Sequence, residues 1–547
     1  MNKILCRLLV GLTLAWVGQL SLGCVSDAPP AHSPPATPYP SPPTLEAGPD
    51  ASGYVQSRDT DGSSQVAPVE RPSSAPPVAG EAGPDASRYV EKGHADVGSD
   101  LAAEAEPLSA PPDPLAAEVG LNQAWYFKQG YTDDATDLPP IAPAHFPSPT
   151  PAPRIQVTDD LDHRVFLPFL EKPKRAEARA LWVTRWDYSS AADVETLMAN
   201  AAGAGFNIVL FQVRGTADAY YASTLEPWAA RLSGTLGENP GWDPLQTAVN
   251  AAHARGLKLH AYINVYPVWL GEVSPSQYAN PKHLFWTLSE RYYRPLDPYP
   301  TGAWRVYGSD YRPMLLNAGY LYATPAIHDM DEHLAAVAKD IVSRYAVDGV
   351  HLDLVRYPGR GYSYDPTTEA ALAPGTVSRA DWQRARVTQL VSRIYAEAIL
   401  PRPDLWLSAA VWPVYQNHWG WNCTEGYSDY YQDSQGWMKG GAIDAILPMI
   451  YPADVFKSPG TFTPDQFSLL TSDFLNNDGG RHVLPGISAQ YASFEEVAQR
   501  IAIARDLGAP GQAIFSARLV AQNDYWDDFA AGPYASPASV PTLSWRR

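Results

Sequence analysis

The stretch that decides the fold is residues 347–358, which read Val-Asp-Gly-Val-His-Leu-Asp-Leu-Val-Arg-Tyr-Pro. Its apolar residues form an almost continuous run, which is typical of a buried strand in a parallel sheet. Alternate side chains of a strand point to opposite faces, so His351 and Asp353 share one face and Val350 and Leu352 share the other. Asp353 then stands at the carboxyl end of this strand, with Arg356 just beyond it.

Seven further runs of the same kind are distributed along the chain, and segments with helical spacing of apolar residues separate them. The predicted strands are residues 180–186, 207–213, 258–264, 349–353, 406–411, 445–449, 482–487 and 512–515. The predicted helices are residues 191–204, 244–255, 327–345, 379–400, 428–439 and 494–507. This alternation predicts an α/β protein whose parallel sheet closes into a (β/α)8 TIM barrel. An open doubly wound sheet is the alternative, although no G-x-G-x-x-G follows its first strand.

Two connections are longer than ordinary loops, namely residues 265–324 after the third strand and 357–378 after the fourth. Long connections in compact domains are usually functional. Both follow the carboxyl ends of their strands, which is the end where barrel enzymes keep their active sites. We therefore expect the functional site at this mouth of the barrel.

Aromatic, amide and charged side chains are concentrated at these strand ends. Indoles and phenols can stack on sugar rings, while amides and charged groups hold hydroxyls. The residues assigned to substrate binding on this pattern are Trp186, Arg214, Asp218, His260, Asn264, His351 and Arg356. The composition of the mouth therefore points to a polysaccharide as the binding partner.

Asp353 is the candidate catalytic carboxylate. A carboxylate buried beside a cation such as Arg356 stays ionised, as a glycosidase nucleophile or a stabiliser of an oxocarbenium ion must be. The alternative is a structural Asp–Arg pair that closes the top of the barrel. Spacing alone leaves both interpretations open.

Other catalytic chemistries lack their usual residues. The first strand contains no His-x-His pair, and the possible pair His351 and Asp353 has no obvious third metal ligand. No G-x-S-x-G is present for a serine nucleophile. We expect neither a metal nor another cofactor.

The charge balance excludes a further class of partner. The chain carries 40 Lys and Arg against 59 Asp and Glu, a net charge of −19. Such a protein repels phosphate backbones, so we expect no nucleic-acid partner.

The amino-terminal region has the features of an exported lipoprotein. Residues 1–23 combine two basic residues with a short apolar run, as a secretory signal does, and small residues precede Cys24 as in a bacterial lipobox. We expect lipid attachment at Cys24, with ordinary signal cleavage nearby as the alternative. Cys6 would leave with the signal, so Cys423 has no partner for an intrachain disulfide.

The segment after Cys24 cannot bury a core. Almost half of the 53 prolines lie between residues 25 and 153, and no tryptophan, phenylalanine or cysteine occurs between Cys24 and Ala124. The expected domains are a signal peptide at 1–23, a disordered proline-rich linker at 24–120, a partly ordered lead-in at 121–176, the barrel at 177–535 and a tail at 536–547. The linker would be a semi-extended spacer between a membrane and the barrel.

Several motifs in order resemble the glycosyl hydrolase-like 10 family. They are RALWVT at residues 179–184, FQVR at 211–214, DGVHLD at 348–353 with RYP at 356–358, and IDAILPMIY at 443–451. The family consists of bacterial envelope proteins, often lipoproteins, with a (β/α)8 barrel related to α-glycosidase clans. The resemblance covers roughly residues 178–531 and adds Tyr451, the last residue of its final motif, to the substrate-binding set.

The resemblance implies hydrolysis of O-glycosidic bonds, with cell-wall glycan strands as the substrate and Asp353 as the nucleophile or base. It implies a location in the cell envelope of an exported protein anchored by lipid, on the outer membrane. The identity of the general acid is open, because the fifth strand has no carboxylate. The candidates are Glu425, Asp454 and Asp218. A glycan-binding anchor that does not cut its ligand is the alternative function.

Overall fold

The computed structural model describes residues 175–372, 377–451, 462–491 and 493–546. The predicted signal peptide, the lipidation site at Cys24 and the linker lie outside these residues, as does Asp454. They stay predictions.

Eight parallel strands form the central sheet at the places that the sequence predicts. They are β1 Ala178–Val183, β2 Ile208–Arg214, β3 Lys258–Asn264, β4 Gly349–Asp353, β5 Trp406–Val411, β6 Ala445–Pro448, β7 His482–Val483 with Gly486–Ser488, and β8 Gly511–Phe515. Nearly every strand residue is buried, because helices cover the outer face and side chains fill the interior. The apolar runs are thus the strands of a barrel.

The divided strand β7 closes the sheet into a ring. Its first half pairs with β6, where His482 lies opposite Ala445, and its second half pairs with β8, where Ile487 lies opposite Ile514. Strand β8 pairs in turn with β1, and β1 to β6 pair in sequence order. The predicted (β/α)8 TIM barrel is confirmed.

Helices separate the strands and cover the barrel. Eight of them are numbered along the chain: α1 Ala191–Gly203, α2 Pro244–His253, α3 His328–Arg344, α4 Arg379–Ile394, α5 Ser434–Lys439, α6 Pro464–Leu475, α7 Phe494–Asp506 and α8 Trp526–Ala531. The other helical segments are Ala230–Ser233, Leu284–Arg291, Pro366–Ala371, Tyr395–Ile399, Gly426–Asp429, Ala517–Gln522 and Ser544–Arg546. Helix α1 begins with a capping box between Ser190 and Asp193, which satisfies backbone N–H groups that have no partner within the helix.

Two predicted elements differ from the observed ones. The first strand was expected at residues 180–186 but ends at Val183, because the Thr184 N–H donates to Asp187 Oδ2 at 2.7 Å and starts a turn. The helix expected at 428–439 is interrupted, and Tyr431 in the gap has a left-handed backbone with φ of 54°. A hydrogen bond to the Asp187 side chain ends the strand, and a left-handed residue interrupts the helix. The spacing of apolar residues does not reveal either feature.

The loop after β3 has its own structure. A two-stranded antiparallel ribbon pairs Pro267–Leu270 with Tyr320–Tyr322, and the helix Leu284–Arg291 lies between them in sequence. This loop and the loop after β4 both leave the mouth of the barrel. Both predicted long connections are therefore ordered over their described residues.

The amino end of the barrel brings distant parts of the chain together. Residues Arg175–Ala176 pair in parallel with Ala538–Ser539. The tail then reaches Asp444, which accepts from Trp545 Nε1 at 2.9 Å and ion-pairs with Arg546. In the described part of the chain, no helix combines the length and apolar character needed to cross a membrane.

Candidate active site

Asp353 lies at the mouth, at the last position of β4, and only 3% of its surface is exposed. Tyr262 Oη donates to its Oδ2 at 2.6 Å, and the Leu354 N–H donates to its Oδ1 at 2.6 Å. Leu354 has a left-handed backbone with φ of 51°, an unusual conformation for a branched residue that turns the chain sharply away from the strand. The carboxylate is thereby held at the rim by two donors.

Tyr262 is protonated over the whole physiological pH range. Burial raises the pKa of its phenol, and the negative charge of Asp353 raises it further. Its O–H therefore remains a donor to the carboxylate. Tyr262 is not among the site residues named from the sequence.

Arg356 is the cation beside this carboxylate. Its Nη1 lies 3.5 Å from Asp353 Oδ1, and its guanidinium carbon lies 5.7 Å from the Trp412 ring centroid and 5.9 Å from that of Tyr430. None of its guanidinium nitrogens makes a hydrogen bond with a described residue, although the side chain is fully buried. Its donors therefore remain available to oxygen atoms of a ligand.

Tyr451 follows β6 and faces the same carboxylate. Burial raises the pKa of its phenol, the charge of Asp353 raises it further, and Arg356 opposes the shift. Its ring stacks on Phe515 at 5.6 Å with an interplanar angle of 12°. The structure thus brings Asp353, Arg356 and Tyr451 together.

His351 lies beneath this group in the barrel interior. Trp182 Nε1 donates to its Nε2 at 3.0 Å, so the ring hydrogen is on Nδ1, which donates to Ser408 Oγ at 2.9 Å. Burial holds the pKa of His351 well below its usual range, so the ring is neutral. Both nitrogens are engaged with the protein, which makes His351 a buried support under Asp353.

The polar residues of β3 are divided between the two ends of the barrel. Asn264 lies opposite Asp353 in the strand register, and its Oδ1 accepts from Gln212 Nε2 at 3.1 Å. His260 lies four residues earlier, opposite Gly349, which is about 13 Å away at the strand rise of about 3.3 Å per residue. The structure therefore does not bring His260 to the mouth, because alternation fixes the face of a side chain and not its depth.

Arg214 is held by a carboxylate that the sequence reading missed. It ion-pairs with Glu226 at 2.8 Å and donates to the carbonyl oxygens of Asn264 and Val265. Burial opposes ionisation of Glu226, but Arg214 and His333 lower its pKa to about 2. Arg214 is fully buried and braces the β2 and β3 ends instead of lying open at the mouth.

Asp218 and Trp186 lie around a second overlooked residue, Arg185. The guanidinium carbon of Arg185 is 4.6 Å from the Trp186 ring, and its Nη2 donates to Tyr320 Oη at 2.8 Å. Burial opposes its charge, but Tyr320 and Asp218 are among the groups that raise its pKa, so it stays protonated. Its position directly before Trp186 at a strand end is the signal that could have identified it.

A glycine makes room for Arg185. A Cβ atom at Gly215 would come within 2.8 Å of Arg185 Nε. The glycine that follows FQVR is thus explained by the close approach of this guanidinium.

Glu425 lies in the loop after β5 and directly precedes the short helix Gly426–Asp429. Its Oε2 accepts from Ser428 Oγ at 2.7 Å. The carbonyl oxygen of the preceding residue accepts from Trp412 Nε1 at 3.0 Å, and the Trp412 ring centroid lies 5.7 Å from the Arg356 guanidinium carbon. Trp412 and Arg356 thus connect the loop of Glu425 to Asp353.

Other acidic residues of this region have structural partners. Asp433 caps α5 by accepting from the Gly436 N–H at 3.0 Å, and Asp429 forms an ion pair with Arg360. Within the described ranges, no group of three or more His, Cys, Asp and Glu residues could hold a metal ion.

Comparisons with a family model and with known sequences agree on one family. The model of the family described as Glycosyl hydrolase-like 10 matches residues 177–287 and 311–487. Glycosyl hydrolase DigH of Escherichia coli strain K12 is 31% identical over 257 residues, which cover 45% of this chain and 55% of DigH. Glycosyl hydrolase YngK of Bacillus subtilis strain 168 is 25% identical over 419 residues, which cover 70% of this chain and 76% of YngK. The chain thus spans about half the length of the E. coli relative.

Among solved structures, the glycoside hydrolase domain of PgaB (BpsB) from Bordetella bronchiseptica aligns with a TM-score of 0.44 at 13% identity. The alignment covers 64% of this chain and 97% of that domain.

Proposed function

Because the chain belongs to the glycosyl hydrolase-like 10 family, we propose that it is a glycoside hydrolase that cleaves O-glycosidic bonds of a polysaccharide. The observation that carries the proposal is the ionic and hydrogen-bonded environment of Asp353 at the mouth of the barrel. Tyr262 and the Leu354 N–H each donate to one of its oxygen atoms, and Arg356 lies 3.5 Å from Oδ1. A carboxylate held in a fixed orientation is what either glycosidase mechanism requires.

Asp353 acts on the anomeric carbon in one of two ways. In a retaining reaction it attacks this carbon, and the glycosidic C–O bond breaks as the acid protonates the departing oxygen; water then hydrolyses the glycosyl ester. In an inverting reaction it removes a proton from the water that attacks this carbon, while the acid protonates the departing oxygen. The distance from Asp353 to the acid distinguishes the two, at about 5 Å for retention and about 6.5–9.5 Å for inversion. Glu425, Asp454 and Asp218 are the candidates for this acid.

The substrate that we propose is the glycan of the bacterial cell wall. Arg356 offers buried donors for the oxygen atoms of a sugar, next to the buried ring of Tyr451. The signal and lipobox at Cys24 support an exported protein held by lipid on the outer membrane, with its barrel close to such a substrate.

A glycan-binding anchor without hydrolysis is the second candidate. One observation favours it, which is that strand β5, Trp406–Val411, carries no carboxylate at the position next to Asp353 on β4.

The deciding experiment compares Asp353→Asn with the wild-type protein on purified peptidoglycan. We expect release of new reducing ends to fall by a factor on the order of a thousand, while binding of the glycan and the unfolding temperature persist. Asp404→Asn is the matched control, because Asp404 is exposed and its one ion pair among the described residues is with Arg402. Binding by the wild type without any new reducing ends would support the anchor and exclude the hydrolase.

A further inference from the structure

The two long loops at the mouth are joined by backbone hydrogen bonds. The N–H groups of Ser363 and Tyr364, in the loop after β4, both donate to the carbonyl oxygen of Tyr307, in the loop after β3, at 3.0 and 3.2 Å. Arg379, the first residue of α4, donates to the carbonyl oxygen of Ser363 at 2.5 Å. These bonds hold a surface patch that neither loop would form alone.

The patch presents two tyrosines. The rings of Tyr311 and Tyr364 meet edge to face with centroids 5.5 Å apart, and the Arg379 guanidinium carbon lies 4.4 Å from the Tyr364 ring. Tyr311 is 58% exposed, so most of its ring is open to solvent. The Tyr364 ring is packed against Tyr311 and Arg379, which suits a stacking surface because less side-chain freedom is lost on binding.

The backbone around this patch is strained. Tyr311 has a φ of 60°, and Ser363 has a φ of 92°. Residues other than glycine avoid this region, and where they persist in it they concentrate at functional sites. An exposed aromatic residue on strained backbone does not stabilise the fold. Binding of a ligand is therefore the better explanation for this conformation.

The patch is linked to the candidate active site through packed rings. The loop that begins at Asp353 and Arg356 continues through Tyr357, whose ring meets Tyr431 edge to face at 5.5 Å. Burial raises the pKa of the Tyr431 phenol, and the neighbouring Tyr364 phenol raises it further. Tyr357 and Tyr431 are buried, so they form a packed support between the loop of Arg356 and the exposed pair.

We propose that Tyr311 and Tyr364 form an outer subsite that binds a sugar unit of the same glycan chain whose neighbouring units lie at Asp353. The inference rests on the proposed function and deepens it, because it makes the substrate a chain longer than the mouth. Sugar C–H surfaces stack on the open face of Tyr311, and Arg360, whose side chain is 71% exposed, offers donors to hydroxyl or carboxylate oxygens nearby.

The test measures how the affinity depends on glycan length. Glycan strands from purified peptidoglycan are separated by length, and the disaccharide of N-acetylglucosamine and N-acetylmuramic acid serves as the short probe. Binding is measured by calorimetry with the Asp353→Asn variant, so that no probe is cut. We expect Tyr311→Ala to weaken binding of long strands about five- to tenfold and to leave the disaccharide unchanged, while Tyr311→Phe keeps the affinity.

Tyr278→Ala is the matched control, because Tyr278 is 86% exposed on the same loop. Unchanged long-strand affinity in Tyr311→Ala, or an equal loss in Tyr278→Ala, would overturn the outer subsite. Loss of self-association in Tyr311→Ala without loss of glycan binding would also overturn it, by assigning the patch to contacts between copies. Length-dependent binding by a wild-type protein that releases no reducing ends would uphold the subsite and refute the hydrolase.

Discussion

Replacing Tyr262 by phenylalanine removes one hydrogen bond from Asp353 and leaves the aromatic ring in place. Tyr262 Oη donates to Asp353 Oδ2 at 2.6 Å, and both side chains are buried. A hydrogen bond to a charged group contributes about 1.5–3 kcal/mol, and each 1.36 kcal/mol changes a rate tenfold. If Asp353 carries the reaction, we expect Tyr262→Phe to lower kcat/KM about 10- to 150-fold, mainly through kcat.

The assay is reducing-end release from peptidoglycan strands over a range of concentrations, so that kcat and KM are obtained separately. Tyr266→Phe is the control, since Tyr266 is a fully buried tyrosine just past the end of β3 whose hydroxyl has no hydrogen-bond partner within the described residues. Thermal unfolding of both variants reports any change of stability. A rate within twofold of the wild type in Tyr262→Phe, or an equal loss in both variants, would refute the role assigned to this hydrogen bond.

Two further predictions concern stability. Gly349→Ala would place a Cβ 2.8 Å from the Trp406 carbonyl oxygen and 2.9 Å from the His260 ring. We expect it to lower the free energy of unfolding by about 1–3 kcal/mol in urea titrations. Gly361→Ala is the neutral control, because its Cβ would meet no atom within 4 Å, and equal effects of the two changes would contradict the crowding argument. Burial lowers the pKa of His260 to about 4, so the unfolded chain, with a pKa near 6.5, binds the proton first and stability falls as the pH drops from about 6.5 towards 4. Between pH 7 and 4.5 this histidine should account for about 2 kcal/mol of the fall in the free energy of unfolding, and His260→Gln should remove this contribution. An unchanged dependence of the unfolding free energy on pH in that variant would contradict the prediction.

The strands were predictable because both faces of a parallel barrel strand are buried. Residues 349–353 and 406–411 are apolar runs for this reason, and their bounds agree with β4 and β5. The position of Asp353 followed from the same pattern, since the end of the apolar run is the end of the strand. Burial on both sides leaves a signal in the local sequence.

The partners of the site residues were not predictable in the same way. Arg214 forms an ion pair with Glu226, which lies in a loop. The depth of His260, by contrast, follows from its place near the start of the predicted strand 258–264. Arg185 depends on Tyr320, which is 135 residues away in the sequence. Such contacts are set by how the loops pack, and no periodicity in the chain encodes them.

The divided strand β7 links the cohesion of the barrel to its mouth. Hydrogen bonds hold only the first half of β7 to β6 and the second half to β8, and above that break Tyr451, just past β6, stacks on Phe515 of β8. A ligand that packs against Tyr451 would also hold this stacked pair together. Part of its binding free energy would therefore stabilise the closed ring of strands. By reciprocity, a barrel that is better closed at β7 would bind its ligand more tightly.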